Sequence, residues 1–469
     1  MKSSDRKRRS EQEPPEKNPA WESHYFTADA SSSDVSDSAD IFDDDLGTIE
    51  PMTVPGYDHL RYIPFGPDDL LPYHLLREIR RDEVLSQNLF FNVLTLYGTG
   101  VEYRDIETDR PTADSDIREF AMRNSLRHFF LEQCTDLKHF FFAVAVVILT
   151  RAGDRIVSVR HKEACHVRFE PAGRDGNIHR CFVANFRRRS RLTRKDIETL
   201  TVLDERDPLG HLRILMGIGY GRDGLKKERT RERKFAVVLR FPTPGNRYYP
   251  SPYYTSIFRG DWLDIKRLIS KGKKAKIRNQ GAVKYHIEIH REYWDRLFES
   301  EGIFDPLEKK KRKRRELENI KKFALGVDNA GKTWISSYYT DNYGKEQRMI
   351  RINLVDTSKE GGDWAEDTQE ASNMICYGTN IHPNLVGAVP GKAAANNSGS
   401  DKRELFTLKQ SLEASFRDLL LKFHELVIHF NGWADHVVPV VPMILLTTLD
   451  KHTDAEKTTN RENKSESAN

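Results

Sequence analysis

The stretch "GVDNAGKT", Gly326 to Thr333, has the G-x-x-x-x-G-K-T spelling of a phosphate-binding loop. In that chemistry backbone amides cradle a polyphosphate, Lys332 would reach the outer phosphates and the Thr333 hydroxyl would ligate magnesium. The loop works only between a buried strand and a helix, because its amides and those of the helix N-terminus must converge on one anion. The flanks predict something else. "ENIKKFAL" before the motif continues a lysine-rich helical pattern, and "WISSYYTDNYG" after it is rich in strand formers and ends in a turn. A basic helix, a glycine turn and a hairpin is the reading these neighbours favour. A nucleotide hydrolase using Gly326–Thr333 is the alternative.

Other spellings carry less chemistry. The opening phrase also resembles the first motif of small Arf-type GTPases, with "NLVDT" (353–357) and "LLTTLDK" (445–451) as later motifs. Asp356 lacks the glycine three residues on, however, and the last phrase lacks a lysine before its Asp450. The polar residues beyond it predict no closing strand and helix. "GYGRDG" (219–224) has a G-x-G-x-x-G spelling without a dinucleotide-binding unit around it. "HIEIH" sets His286, Glu288 and His290 on one strand face, but no third metal ligand and no PCxxC partner accompany them. "HKEACH" offers His161, Cys165 and His166 without a second cluster. No G-x-S-x-G phrase occurs and the carboxylates are diffuse, so no catalytic residue, metal or cofactor is expected and the chain is read as a non-enzyme.

The bulk composition fits a large, heavily charged protein. The 469 residues are 38% hydrophobic and 31% charged, with a net charge of +4. That small surplus hides three basic runs, "FRRRSRLTRK" (186–195), "KKERTRERK" (226–234) and "EKKKRKRRELENIKK" (308–322), which tilt the reading toward a polyanion partner. The ends, residues 1–50 and 451–469, are polar and poor in apolar periodicity and are expected to be disordered. Cys134, Cys165, Cys181 and Cys376 are scattered and predict reduced thiols. The most apolar run, "FFFAVAVVIL" (140–149), is far short of the about 20 residues that span a bilayer, and no secretory leader is expected.

These features must be positioned by a mixture of elements. Apolar spacing predicts helices over 68–100 and 115–139. Strands are predicted at "FFFAVAVVIL", "RIVSVRH", "HVRFEP", "HRCFVANF" and "KFAVVLRF". A Pro- and Tyr-rich loop (241–254) precedes a helix over 255–270, the strand "AVKYHIEIH", and helices within 291–325. Strands at "TWISSYYT" and "RMIRINLV" and a helix over 363–377 follow. The longest pattern covers Asp401–Phe430. There Leu405, Leu408, Leu412, Phe416, Leu419, Phe423, Val427 and Phe430 predict one continuous apolar stripe, capped by Asp401 with Glu404 and stopped at Asn431-Gly432.

The order of these elements resembles the portal proteins of tailed bacteriophages, and in style those of prophages of Bacteroides-type bacteria. "YYPSPYYTSI" (248–257) is similar to the passage before the portal stem, and "DWLDIKRLISKGKKAK" (261–276) to the stem helix. The stretch 283–323 is similar to the clip and returning stem. "GVDNAGKTWISSYY" then stands where such chains turn back into the wing sheet. Residues 372–430, with "PNLVG" (383–387) and the small polar "GKAAANNSGS" (391–400), resemble a helix, a tunnel loop and a long helix.

The resemblance implies an α+β portal-like fold with six parts. They are a disordered tail (1–50), a wing (51–254), stem and clip (255–325), return strands of the wing (326–362), a helix, tunnel loop and long helix (363–450), and a second tail (451–469). It implies a homo-oligomeric ring of twelve copies at the capsid vertex of a virion, assembled in the bacterial host cytoplasm. Double-stranded DNA would pass through the ring non-specifically, and terminase, capsid and head–tail connector proteins would dock on it, with no membrane involved. Lys392, Asn396 and Asn397 are the candidate channel-facing residues. Lys309, Lys310, Lys311, Arg312, Lys313, Arg314, Arg315, Lys321 and Lys322 are the candidate clip surface. A nucleic-acid-associated scaffold that never closes into a ring is a further alternative.

Overall fold

The structure, a computed structural model, describes residues 50–221, 224–226, 228–279, 285–325, 338–340, 346–348, 350–354, 364–386, 399–444 and 446. The Gly326–Thr333 motif, the loop residues Lys392, Asn396 and Asn397, and the two tails (Glu50 apart) lie outside the described residues.

Two short antiparallel strands, β1 (Met52–Thr53) and β2 (Arg61–Tyr62), lead into helices α1 (Leu71–Ile79) and α2 (Glu83–Tyr97). One helical pattern over 68–100 thus becomes two helices. Asp82 divides them, because its side chain accepts from the Leu85 N–H at 2.9 Å and caps the second. Strand β3 (Glu102–Asp105) and helices α3 (Ser115–Arg123) and α4 (Leu126–Phe140) follow. Phe141 ends α4 at a φ of 58°, the left-handed conformation that stops a helix abruptly, and the chain turns straight into a sheet.

That sheet is made of β4 (Phe142–Leu149), β5 (Ile156–Lys162), β6 (Val167–Phe169), β7 (Arg180–Val183), β8 (Glu198–Val202) and β9 (Lys234–Arg240). Helix α5 (Pro208–Leu215) lies between the last two strands in sequence. The spatial order is β5-β4-β9-β8-β7-β6, antiparallel throughout except for the parallel pair of β8 and β9. Strand β8, "ETLTV", and helix α5 are absent from the sequence-based expectation, since both are short. The apolar run of β4 is explained by burial on both faces. Ala143, Ala145 and Val147 join Phe235 and Val237 of β9 in one core, and Phe142, Val144 and Val146 join Ala236 and Val238 in another. Helices α1 and α2 contribute Leu75, Ile79, Leu85 and Leu89 to the second core, while α4 contributes Phe129, Phe130 and Leu137 to the first.

The remainder comprises α6 (Ser256–Arg259), α7 (Trp262–Asn279), β10 (Tyr285–Ile289), α8 (Arg291–Ser300), α9 (Pro306–Leu325), β11 (Tyr338–Thr340), β12 (Glu346–Arg348), β13 (Ile350–Leu354) and α10 (Trp364–Gly378). After these come α11 (Pro383–Val386), α12 (Gly399–Leu412), α13 (Ala414–Phe430) and β14 (Val437–Val440), the last paired with β3. The fold is α+β.

Three expectations need correction. The described strands within 326–362 do not return to the six-stranded sheet: β11 pairs with β12, and β13 pairs antiparallel with β10. The register sets Ile287 opposite Ile352 and Ile289 opposite Ile350, so this ribbon matches its own β-branched positions. Next, the helix lying along α7 is α10, not the basic helix over 306–325. Lys273 Nζ donates to the Trp364 carbonyl and Thr368 Oγ1, each at 3.1 Å, at the start of α10. Gly378, at its other end, faces Ile257, where a Cβ would lie 2.6 Å from a side-chain carbon. The pair is therefore antiparallel, with its root fixed by Lys266 on Asp82 at 2.7 Å and Arg267 on Glu78 at 2.8 Å.

Finally, the predicted continuous helix breaks at Glu413. Leu408 and Leu412 are 57% and 49% exposed, whereas Lys409, Gln410 and Glu413 are buried. The apolar stripe is honoured only in α13, through Phe423, Val427 and Phe430. A polar network on α12 outweighs it upstream, because Gln410 both donates to the Ile444 carbonyl and accepts from its N–H, at 2.7 and 3.0 Å. The stop is as expected: Asn431 follows α13, and its amide satisfies both the N–H and the carbonyl of Ile156.

One buried group ties this core to pH. His424 of α13 is enclosed by Phe129 and Phe130, with Nδ1 3.0 Å from the Tyr103 hydroxyl. Burial pushes its pKa down to about 3. The unfolded chain binds a proton near pH 6.5 that the folded chain refuses. Stability from this group is complete above that pH and is lost as pH falls from 6.5 toward 3, by up to about 1.4 kcal/mol per pH unit. Urea unfolding of the full chain across this window should show the decline, and His424→Gln should flatten it. Equal slopes in both proteins would refute the assignment.

Candidate functional site

The phosphate-loop spelling follows a helix. α9 runs to Leu325, the residue before Gly326, and the next described element is β11. A phosphate loop instead follows a buried strand. His290, His161 and His166 are also spoken for. His290 caps α8, its Nδ1 accepting from the Glu292 N–H at 3.4 Å. His161 does not face Cys165's neighbour His166; it sits 3.0 Å from Asp136 and 2.6 Å from the Gln133 amide. Glu163, Cys165 and His166 do cluster, yet Glu163 already pairs with His166 at 3.2 Å. Burial and the nearby Asp136 and Glu163 push the Cys165 thiol up to about 12. All four cysteines are free and buried.

The basic candidates are placed differently from one another. Helices α8 and α9 form a hairpin turned at Gly302, which has a φ of 65° and so suits glycine. Arg312 locks it. The guanidinium bonds both Glu301 oxygens and one of Glu316, all at 2.7 Å, and these hydrogen bonds hold its pKa above the ordinary arginine value. Lys309 lies 5.6 Å from the Phe298 ring centre and Lys313 5.2 Å from that of Trp294. These three residues, nominated as surface cations, mainly hold α9 on α8.

Lys310, Lys311, Arg314 and Arg315 are exposed and project from the opposite side at helical spacing. Lys321 and Lys322 lie on the last turns of the same helix. Exposed Lys271 and Lys274 stand on the distal half of α7, a pair that sequence reading passed over because they sit within a general lysine pattern. What this arrangement can do is electrostatic: four exposed cations on a rigid helix attract phosphate without reading bases.

A second concentration of charge occupies the sheet's far edge. Between β7 and β8 the chain makes two 3-10 turns, Phe186–Arg191 and Arg194–Asp196. Phe186 is buried as the anchor, and Arg187, Arg188, Arg189, Arg191, Arg194 and Lys195 stay exposed around it. Among the described residues no helix is long and apolar enough to cross a membrane.

No family model matches the sequence, and no curated protein matches it. Solved structures do share its fold. A chain in the neck of an empty gene transfer agent particle, computed with C6 symmetry, superposes with a TM-score of 0.51 at 13% identity, over 84% of this chain and 87% of that one. A chain of the native gene transfer agent virion gives 0.50 at 12% identity, over 84% and 86%. A chain in the neck of the native particle, computed with C12 symmetry, gives 0.51 at 12% identity, over 85% and 88%. The similarity extends along nearly the whole chain and establishes a shared fold with components of particle necks.

Proposed function

We propose that this chain is a portal-type ring subunit of a tailed phage or phage-like particle, placed at the capsid vertex, where the ring is the DNA channel and the dock for packaging motor and tail. The fold shared with particle-neck chains over 84–85% of its length carries this reading. The layout agrees with it. A body built on the six-stranded sheet bears an antiparallel helical stalk, α7 with α10, and beyond α7 a small ribbon and a basic helical hairpin. A channel of this kind performs no bond chemistry. Its residues need only guide a polyanion, which lysine and arginine do through phosphate contacts.

In this reading the stalk and hairpin descend toward the docking partners, terminase and connector proteins, and Lys310, Lys311, Arg314 and Arg315 form the charged surface there. Residues 391–400, with Lys392, Asn396 and Asn397, serve as the channel loop. Twelve copies close the ring heterologously, each presenting a different face to either neighbour. Assembly takes place in the bacterial host cytoplasm, and the ring ends in the virion. Negative-stain microscopy and native mass measurement of the purified chain test this directly: rings with a central hole are expected, and a chain that stays monomeric at every concentration overturns it. Magnesium-dependent nucleotide binding that disappears in Lys332→Ala would overturn the absence of chemistry.

A further inference from the structure

The arginine-rich turns between β7 and β8 pose a question that the ring does not answer. Six cations stand within nine positions, Arg187 to Lys195. Among the described residues none of Arg187, Arg188, Arg191 and Lys195 pairs with a carboxylate. Arg189 and Arg194 make contacts of another kind. The Arg189 guanidinium donates to Met52 Sδ at 3.0 Å and lies 5.9 Å from the Tyr62 ring centre, and Arg194 lies 4.8 Å from that of Tyr57. Thr53, Val54, Pro55 and Tyr57 line one shallow depression together with Arg189 and Ser190. The start of the described chain is therefore laid against this patch.

What precedes Met52 has the complementary charge. Residues 27–50, of which only Glu50 is described, carry seven aspartates and that glutamate, with no lysine or arginine. Asp43, Asp44 and Asp45 lie within nine residues of Met52. At about 3.4 Å per residue they reach no farther than about 30 Å from it, well within range of the patch. An anion tethered at that distance is presented at an effective concentration on the order of millimolar, ahead of any untethered polyanion.

We propose that the acidic segment 27–50 docks on the Arg187–Lys195 patch of its own chain and masks it from nucleic acid. Like-charged phosphate is thereby kept from the body and left to the hairpin and channel surfaces. The contact is electrostatic and weakens with salt.

Lys195 is the amine of the patch, so zero-length carbodiimide cross-linking of the full chain reads the contact. In 50 mM NaCl, Lys195 should link to carboxylates of residues 27–50, and the links should fade in 0.5 M NaCl. In a mixture of isotopically light and heavy chains the links should stay within one label. The variant D40N/D43N/D44N/D45N should lose most of the links and bind a 20-bp duplex at least tenfold more tightly. Adding R187Q/R188Q/R191Q/K195Q should remove that gain. These patch side chains are exposed, so a thermal melt of the eightfold variant should match that of the parent. Three outcomes would overturn the proposal: no Lys195 links to the segment, mixed-label links at the share that random pairing of chains gives, or duplex affinity unchanged by the aspartate substitutions. Cross-linking within a chain is readable in monomer and ring alike, so failure of the ring reading and failure of this one are told apart.

Discussion

Glu413→Gln is expected to lower the unfolding free energy of the full chain by about 3–5 kcal/mol, the cost of leaving buried charge without its counter-ion. Glu413, at the break between α12 and α13, is 1% exposed and stands between two buried lysines, Lys138 at 6% and Lys409 at 4%. One carboxylate oxygen pairs with Lys138 Nζ and the other lies 2.9 Å from Lys409 Nζ. Lys138 also sits 3.5 Å from the Phe416 ring centre, and burial pushes its pKa down to about 8. Nearby Arg417 is held by the carbonyls of Leu96 and Thr95. The cluster is thus cation-rich, and Glu413 is the acid that both lysines share. Glutamine keeps the shape and removes the charge. Urea denaturation at pH 7 measures the effect, and the triple variant Lys138→Met/Lys409→Met/Glu413→Leu should cost less than the single one. A loss below about 1 kcal/mol in Glu413→Gln would mean that the lysines are hydrated or discharged in the folded chain.

The second large effect is on polyanion binding. Lys310→Gln/Lys311→Gln/Arg314→Gln/Arg315→Gln should reduce the slope of log affinity against log salt for duplex DNA by about 3.6, from four lost phosphate contacts at about 0.9 each. At low salt the affinity should fall by more than about 100-fold. All four side chains are exposed on α9, while Arg312 and the aromatic contacts of Lys309 and Lys313 that hold the hairpin are untouched. Glutamine is a good helix former, so helicity should persist. Filter binding from 50 to 200 mM salt reads the slope. An unchanged slope would place the DNA contacts elsewhere on the molecule.

Much of the scaffold was legible from pattern. The apolar runs at β4 and β9, the strand formers of β5, and the helices α4 and α10 follow from local composition and spacing, because each buries residues that its own sequence marks. The basic helix α9 was equally plain as a composition. Its division of labour was not. Lys309, Arg312 and Lys313 look no different in the string from Lys310, Lys311, Arg314 and Arg315, and only the position of α8 makes the first three struts and the other four surface. The break at Glu413 was hidden for the same reason. Leu408 and Leu412 continue the helical stripe perfectly well, and nothing in the neighbouring sequence announces that Lys138 lies waiting for a carboxylate.

By itself the sequence determined the α+β character, the placement of charge along the chain, and the mismatch between a phosphate-loop spelling and its flanks, since these depend on side-chain period and neighbours a few positions away. Tertiary structure alone decided which helix runs beside α7, which strands pair beyond it, and which cations remain free to meet an anion. Those outcomes rest on contacts between residues tens to hundreds of positions apart, whose energies exist only once the chain has closed.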